Sequence, residues 1–359
     1  MEGIEGKRQQ LLAEHKMYTA HLGAYEAAVA AALEAMRQNE TLKRIWEHDH
    51  TVWKDDPTEI SNRLGWLHSP EVMPEHLPAI NALIEAVRNE GYTHALLMGM
   101  GGSSLAPEVF RKAFGVAEGY LDLAVLDSTD PGAVLAFADA LDMRRTLFVV
   151  STKSGGTVET LSFFKYFYNK VVEAVGTDAA GQHFIAITDP GSKLETLAKT
   201  YNFRATFLND PDIGGRYSAL SFFGLVLAGL VGVDLAKLLN RTSIMAANCE
   251  SSNCVVNGNN YGGQLGAVMG ELAKAGRDKL TLITAHDLAT SATGWSSLLP
   301  KGMAKKAKVF CPLWPSRSVR RMCTATTGCL SLCIAAMNMP IPRRWSAEAG
   351  GASGNPYPL

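Results

Sequence analysis

No run of about twenty consecutive apolar residues occurs anywhere in the 359-residue chain, so nothing in it reads as a membrane-spanning helix. The first residues, Met1-Glu-Gly-Ile-Glu-Gly-Lys7, lack the basic-then-apolar order of a secretory signal, and the expected location is the cytoplasm. Neither sign of charge is in excess: the net charge of −1 gives no general electrostatic case for nucleic acid or an anionic membrane as partner. Cysteine is sparse, six residues in all, and its spacings match no strong zinc pattern. Without a secretory context a disulfide framework is not expected either, and no metal site is assigned. What remains is a composition ordinary for a folded protein, 47% hydrophobic and 19% charged, over a length suited to one or two domains with sizeable cores.

The averages conceal a break. Residues 285–359 hold nine Lys or Arg against two acids, Asp287 and Glu348, so this tail carries +7 and everything before it −8. Four of the six cysteines, Cys311, Cys323, Cys329 and Cys333, fall in the same tail.

The stretch His94 to Phe110 organises the rest. A short apolar run, Ala95 to Met98, stops at Gly99, Gly101 and Gly102, after which Ser103 and Ser104 open an amphipathic segment with Leu105, Val109 and Phe110 on one face. This reads as strand, tight glycine turn and helix start. Such a turn presents several backbone N–H groups at the positive end of a helix dipole, and glycine lets an anion come close to the backbone. A dinucleotide fingerprint is the competing reading, with Asp127 about where a ribose-binding acid would sit. The third glycine of that motif is replaced by Ser104, which disfavours it. A purely structural glycine turn is the other alternative.

Apolar strands recur at Ala95–Met98, Leu121–Leu126, Leu147–Val150, Phe184–Ile187 and Ala205–Leu208, with helix-like segments between most pairs. That alternation predicts α/β architecture, a parallel five-stranded sheet covered on both faces. Right-handed crossovers then gather the turns after the strands along one edge. Polar residues collect there: Ser103 and Ser104, Asp127-Ser128-Thr129, Ser151 to Thr157, Thr188-Asp189, and Asn209-Asp210. The turn Ser151-Thr152-Lys153-Ser154-Gly155-Gly156-Thr157, leading into a helix at Leu161–Val175, supplies hydroxyls and a lysine as donors for phosphate oxygens, and Thr157 is also placed to cap that helix. Asp210-Pro-Asp-Ile-Gly214-Gly215-Arg216-Tyr-Ser218 precedes a strongly apolar helix at Leu220–Val231; a guanidinium held by glycines at a pocket edge can stabilise a developing oxyanion. Capping of a carbonyl by Arg216, or its pairing with Asp212, is the blander alternative. The phenylalanines 163, 164, 167, 222 and 223 are expected in the core. Before the sheet, residues 24–38 read as an amphipathic helix with Tyr25, Ala28, Ala32 and Met36 on one side, part of a helical cap beside the sheet. Asn81 to Arg88 reads as a further helix.

Gly-Met-Gly-Gly-Ser-Ser at 99–104, Ser-Thr-Lys-Ser-Gly-Gly-Thr-Val-Glu-Thr at 151–160 and Gly-Gly-Arg-Tyr-Ser at 214–218 resemble the sugar-isomerase (SIS) domain of glucose-6-phosphate isomerases, over about residues 22–284. The likeness is closest to the isomerase half of bacterial bifunctional transaldolase/glucose-6-phosphate isomerases. Met1 starts almost at the isomerase portion, so a stand-alone version, or one that has lost an upstream part, is expected. The resemblance implies a three-layer α/β/α flavodoxin-like sandwich, arranged as an N-terminal helical cap (1–90), an SIS sugar-phosphate-binding domain (91–240), the start of a second isomerase subdomain (241–284) and an irregular tail (285–359). It implies Gly102, Ser103, Thr152, Lys153, Ser154 and Thr157 as holders of the sugar phosphate, Glu159, Gly214 and Gly215 as supporting residues, and Arg216 as the catalytic group that stabilises a cis-enediolate. It further implies no cofactor, glucose 6-phosphate and fructose 6-phosphate as ligands, a homodimer, and work in glycolysis and gluconeogenesis. A non-catalytic sugar-phosphate-binding SIS module is the alternative function.

The family's catalytic glutamate should lie downstream on a helix resembling Asp-Trp-Val-Glu-Gln-Leu-x-Ala-Glu, and that string is absent after Leu280–Thr284. Residues 292–302 can be encoded so that dropping the first two bases yields Asp-Trp-Val-Glu-Gln-Leu-Ala-Ala-Glu-Arg. Residues 303–310 and 323–330 yield further family-like strings in the same shifted frame. A frameshift near residue 285 is therefore expected, which accounts for the charge break and the clustered cysteines. No function is assigned to His286, to those cysteines or to the basic residues of the tail, and the tail is expected to pack poorly.

Overall fold

The computed structural model describes Gly6, residues 20–250 and 260–277, and the backbone of strands at Lys279–Thr284, Cys311–Leu313 and Cys329–Ile334. Five strands, β1 (His94–Gly99), β2 (Asp122–Leu126), β3 (Thr146–Ser151), β4 (Phe184–Thr188) and β5 (Ala205–Leu208), form one parallel sheet in the order β2-β1-β3-β4-β5. Each coincides with its expected span to within one residue at either end. The agreement has a physical cause: strands buried on both faces are apolar without interruption, and such runs stand out. The longer helices are α1 (Glu26–Gln38), α2 (Leu77–Asn89), α3 (Gly102–Phe114), α4 (Pro131–Ala140), α5 (Val158–Val175), α6 (Lys193–Thr200), α7 (Phe222–Leu230), α8 (Leu235–Cys249) and α9 (Tyr261–Lys274).

Alternate residues of each strand feed two separate cores. On one face Ala95, Leu97, Leu147, Val149, Ile185 and Ile187 pack against Ile80, Leu83, Ile84 and Val87 of α2 and against α7. On the other, Leu96, Met98, Phe148, Val150, Phe184 and Ala186 meet Phe163, Phe164 and Phe167 of α5 and Leu194 and Ala198 of α6. The phenylalanines are core as expected, Phe148 stacking on Phe184 with ring centroids 5.0 Å apart. Helix α7 is buried on every side, which is why it is apolar all round instead of amphipathic.

Strand order and crossover hand fix which helix lies where. The step from β1 to β2 runs one way along the sheet and places α3 on the α7 side, while β3 to β4 and β4 to β5 run the other way and place α5 and α6 opposite. The resulting three-layer α/β/α sandwich has the flavodoxin-like strand order.

Two expectations are corrected. Helix α1 buries Val29, with Tyr25, Ala32, Leu33 and Met36 packed around it and Ala28 exposed, and its partner is α9 through Ala267, Val268 and Leu272. The larger Val29 and Leu33 pull the buried stripe away from Ala28, and the helix does not pack directly on the five-stranded sheet. Helix α2, read together with the cap, instead forms part of the layer covering the sheet. In the stretch expected to be irregular, Cys311–Leu313 (β7) and Cys329–Ile334 (β8) flank Lys279–Thr284 (β6) in a second parallel sheet, β7-β6-β8. The other residues of that stretch lie outside the described residues.

His183, immediately before β4, is buried, its Nδ1 3.4 Å from the Thr146 carbonyl oxygen and its ring against Tyr92. Burial pushes its pKa down, with the Thr146 contact opposing. Below the unfolded-chain value of about 6.5 the unfolded state binds a proton that the folded state refuses, so stability falls as the pH drops through that value. Urea midpoints measured across the weakly acidic range should decline for the native protein and much less for His183→Gln.

Candidate functional site

The order of the sheet reverses between β1 and β3, and there the register sets Gly99 opposite Ser151. The turns that leave these two strands are therefore neighbours at the carboxyl edge, the place where open α/β sheets leave a crevice. Because α3 and α5 depart to opposite faces, the two helices diverge from this crevice while their N-termini both lie at it.

The first turn needs its glycines. Gly101 adopts φ +59° and ψ −114°, a conformation closed to ordinary side chains. A Cβ at Gly99 would lie 3.0 Å from the Ser151 carbonyl oxygen and 3.2 Å from Ser103 Cβ, and one at Gly102 would collide with the Gly215 carbonyl oxygen. Ser103 is part-exposed at the helix start, whereas Ser104 is buried, its hydroxyl donating to Gly101 O at 3.0 Å and reaching Asp127 at 3.5 Å.

The turn after β3 is tied from below. Thr152 is buried; its N–H donates to Ile187 O, and its hydroxyl lies 2.9 Å from that of Thr157. Thr157 holds the N-cap position of α5, but its hydroxyl serves Thr152 and makes no cap bond, a correction to the capping expectation. Ser154 is exposed and its Oγ accepts from the Gly156 N–H. Gly155 has φ +68°, and a Cβ there would strike the Leu194 backbone nitrogen, so the turn is pressed onto the start of α6. Glu159 lies in the first turn of α5. Ser151 Oγ and Thr160 Oγ1 are buried with no hydrogen-bond partner among the described residues.

Lys153 joins this turn to the next loop. Its ammonium donates to Pro211 O at 2.6 Å and Ile213 O at 2.8 Å and pairs with Asp189 Oδ2 at 3.1 Å. Burial raises the Asp189 pKa, with the Lys153 ammonium opposing. The loop carrying Pro211 and Ile213 leads into Gly215–Leu220, which bears the exposed Arg216. This loop is braced on its outer side as well: Gly65 N–H donates to Asp212 O, Leu64 bridges Ile213, and Trp66 stacks on Tyr217 at 5.3 Å. The contact of Gly102 with Gly215 brings the arginine loop against the first turn. Sequence reading noted Asp189 only as a polar edge residue and missed the Leu64-Gly65-Trp66 brace, which belongs to no motif and of which two contacts are made by backbone.

A sequence model of the phosphoglucose isomerase family matches residues 71–259, a span that contains both turns and the arginine loop. The chain belongs to that family. It is similar to a glucose-6-phosphate isomerase of Carboxydothermus hydrogenoformans, 29% identical over 255 residues that make up 68% of this chain and 53% of the relative. Among solved structures it resembles a hypothetical protein from Thermus thermophilus, with a TM-score of 0.71 at 22% identity, covering 86% of this chain and 73% of that one. It also resembles a glucose-6-phosphate isomerase from Chlamydia trachomatis, with a TM-score of 0.60 at 17% identity, covering 89% and 62%. These two likenesses establish the fold. The chain spans about half the length of the Carboxydothermus relative. No helix among the described residues is long and apolar enough to cross a membrane.

The glycine contact between the first turn and the arginine loop makes a direct prediction. Gly102→Ala forces a methyl group into the Gly215 carbonyl, and overpacking of this kind costs about 1–3 kcal/mol. A guanidinium denaturation curve should show that loss, whereas Gly266→Ala, where the added methyl meets nothing within 4 Å, should be neutral or stabilising.

Proposed function

We propose that the crevice between the β1 and β3 turns binds the phosphate of a sugar phosphate, with Arg216 facing the reacting carbons. By family, the reaction is interconversion of glucose 6-phosphate and fructose 6-phosphate in the cytoplasm. The observation that carries this reading is the adjacency of Gly99 and Ser151 across the β1–β3 register, with Gly102 against Gly215. Backbone N–H groups at the starts of two helices and the hydroxyls of Ser103, Thr152, Ser154 and Thr157 suit a dianion with several oxygens to satisfy. Net chemistry in such an isomerase is a proton taken from C2 of the opened aldose and returned to C1, with negative charge on the enediolate oxygens between the two steps. The Arg216 guanidinium answers that charge.

The proton carrier is a separate group, and no part of residues 94–218 is assigned to it. The frame change proposed near residue 285 removes the family's glutamate helix from the chain. Loss of a positioned acid/base group costs about 10²–10⁴-fold in rate. The reading is therefore a sugar-phosphate-binding protein of isomerase lineage with little or no turnover, and resequencing the gene through that point tests the frame.

Titration calorimetry with 6-phosphogluconate should show saturable binding, and NAD should show none. Ser103→Ala and Thr157→Ala each remove a donor to a charged group, so each should weaken that binding about tenfold or more. A coupled assay giving ordinary isomerase rates from the 359-residue product would contradict the loss of the base, and absence of binding would contradict the phosphate pocket.

A further inference from the structure

An ammonium has three N–H donors and no more. In Lys153 all three have protein acceptors: Pro211 O at 2.6 Å, Ile213 O at 2.8 Å and Asp189 Oδ2 at 3.1 Å. A phosphate oxygen would have to displace one of them. Two of the three acceptors are carbonyls of the loop that carries Arg216, and the third belongs to the residue that follows β4. The main chain of Lys153 is gripped in the same place, its carbonyl accepting from the Asp189 N–H at 3.1 Å and from the Thr188 hydroxyl at 3.3 Å. Lys153 thus stands on a fixed base at the end of β4 and reaches across to the arginine loop, while its own sequence neighbours Thr152 and Ser154 form the phosphate turn.

We propose that Lys153 is a positioning residue that fixes the Arg216 loop at a set height over the phosphate turn, and that its ammonium does not bind the phosphate. The inference rests on the sugar-phosphate reading of the site and refines it. Charge-assisted hydrogen bonds to backbone carbonyls are strong and directional, so the strut couples the two halves of the pocket: the turn that holds the phosphate also sets where the guanidinium stands. Asp189 belongs to the same device, holding the lysine between bonds that would otherwise leave a partly buried charge unbalanced. Removing the lysine alone would expose that carboxylate to the phosphate, so the informative variant removes both charges at once.

The test uses the full chain as Lys153→Met/Asp189→Asn, with Lys153→Met as a second variant. Two ligands are titrated: inorganic phosphate, which engages only the turns, and 6-phosphogluconate, whose C1 carboxylate extends toward Arg216. Hydrogen exchange is followed at the Ile213 and Tyr217 amides, which close the arginine loop on Asp210 O and Gly214 O. For the double variant the inference expects phosphate affinity within about threefold of the native protein, 6-phosphogluconate affinity at least tenfold weaker, and exchange at both amides at least tenfold faster. Equal losses for the two ligands with unchanged exchange would make Lys153 a phosphate ligand and overturn the inference. If the native protein binds neither ligand, the sugar-phosphate reading fails on its own and exchange still decides the strut: unchanged protection removes it.

Discussion

The parallel pairing of β1 with β3 is the constraint on which the rest of the molecule depends. Because these strands are neighbours in space but separated in sequence by β2, the chain must leave them in opposite directions. A right-handed crossover then sends α3 to one face and α5 to the other. A gap opens between two helix starts, each with unsatisfied N–H groups and the positive end of its dipole directed inward. Nothing in that geometry requires a particular side chain. It follows from strand order, and the side chains at 99–104 and 151–157 line a gap that the topology has already made.

Closing the gap on its third side falls to a segment far along the chain. The loop after β5 returns over the carboxyl edge and is held by contacts of different kinds: backbone to backbone with Gly65, aromatic stacking between Trp66 and Tyr217, and the Lys153 ammonium on two of its carbonyls. The absent side chain of Gly102 lets the Gly215 carbonyl come close. A glycine here is demanded by the neighbour, not by its own backbone angle, whereas Gly101 and Gly155 are required for their positive φ. The two requirements look the same in a sequence and differ in what a substitution would do: at Gly101 the chain itself is strained, at Gly102 another loop is displaced.

That difference marks how far the sequence could be read. The sheet was legible because doubly buried strands are continuous apolar runs ending in turn residues, and the two turns at its carboxyl edge were legible because glycine and hydroxyl residues cluster there. The stripe on α1 was misassigned by a fraction of a turn, since a run of alanines fixes no face and the partner helix α9 lies more than two hundred residues away. The contacts of the Lys153 ammonium were not legible at all. A lysine in a glycine- and hydroxyl-rich turn suggests an anion, and two of the three acceptors its ammonium has here are backbone carbonyls of residues 211 and 213, which any sequence would supply. Contacts made to main-chain atoms leave no trace in residue identity.

The same separation applies to function. Every residue named as a ligand to the sugar phosphate lies between Gly102 and Arg216, within the family-matched span and before the charge break at residue 285. Holding a phosphate remote from the reacting carbons is binding shared by ground state and transition state, which by itself lowers no chemical barrier. In the proposed reading Arg216 differs, because charge on enediolate oxygens exists only partway through such a reaction, so its placement would be worth most at that point. A lysine that sets the position of this arginine from within the phosphate turn would let remote binding energy act on the reacting centre. The two kinds of interaction would then meet through a single side chain whose ammonium is held by protein acceptors alone.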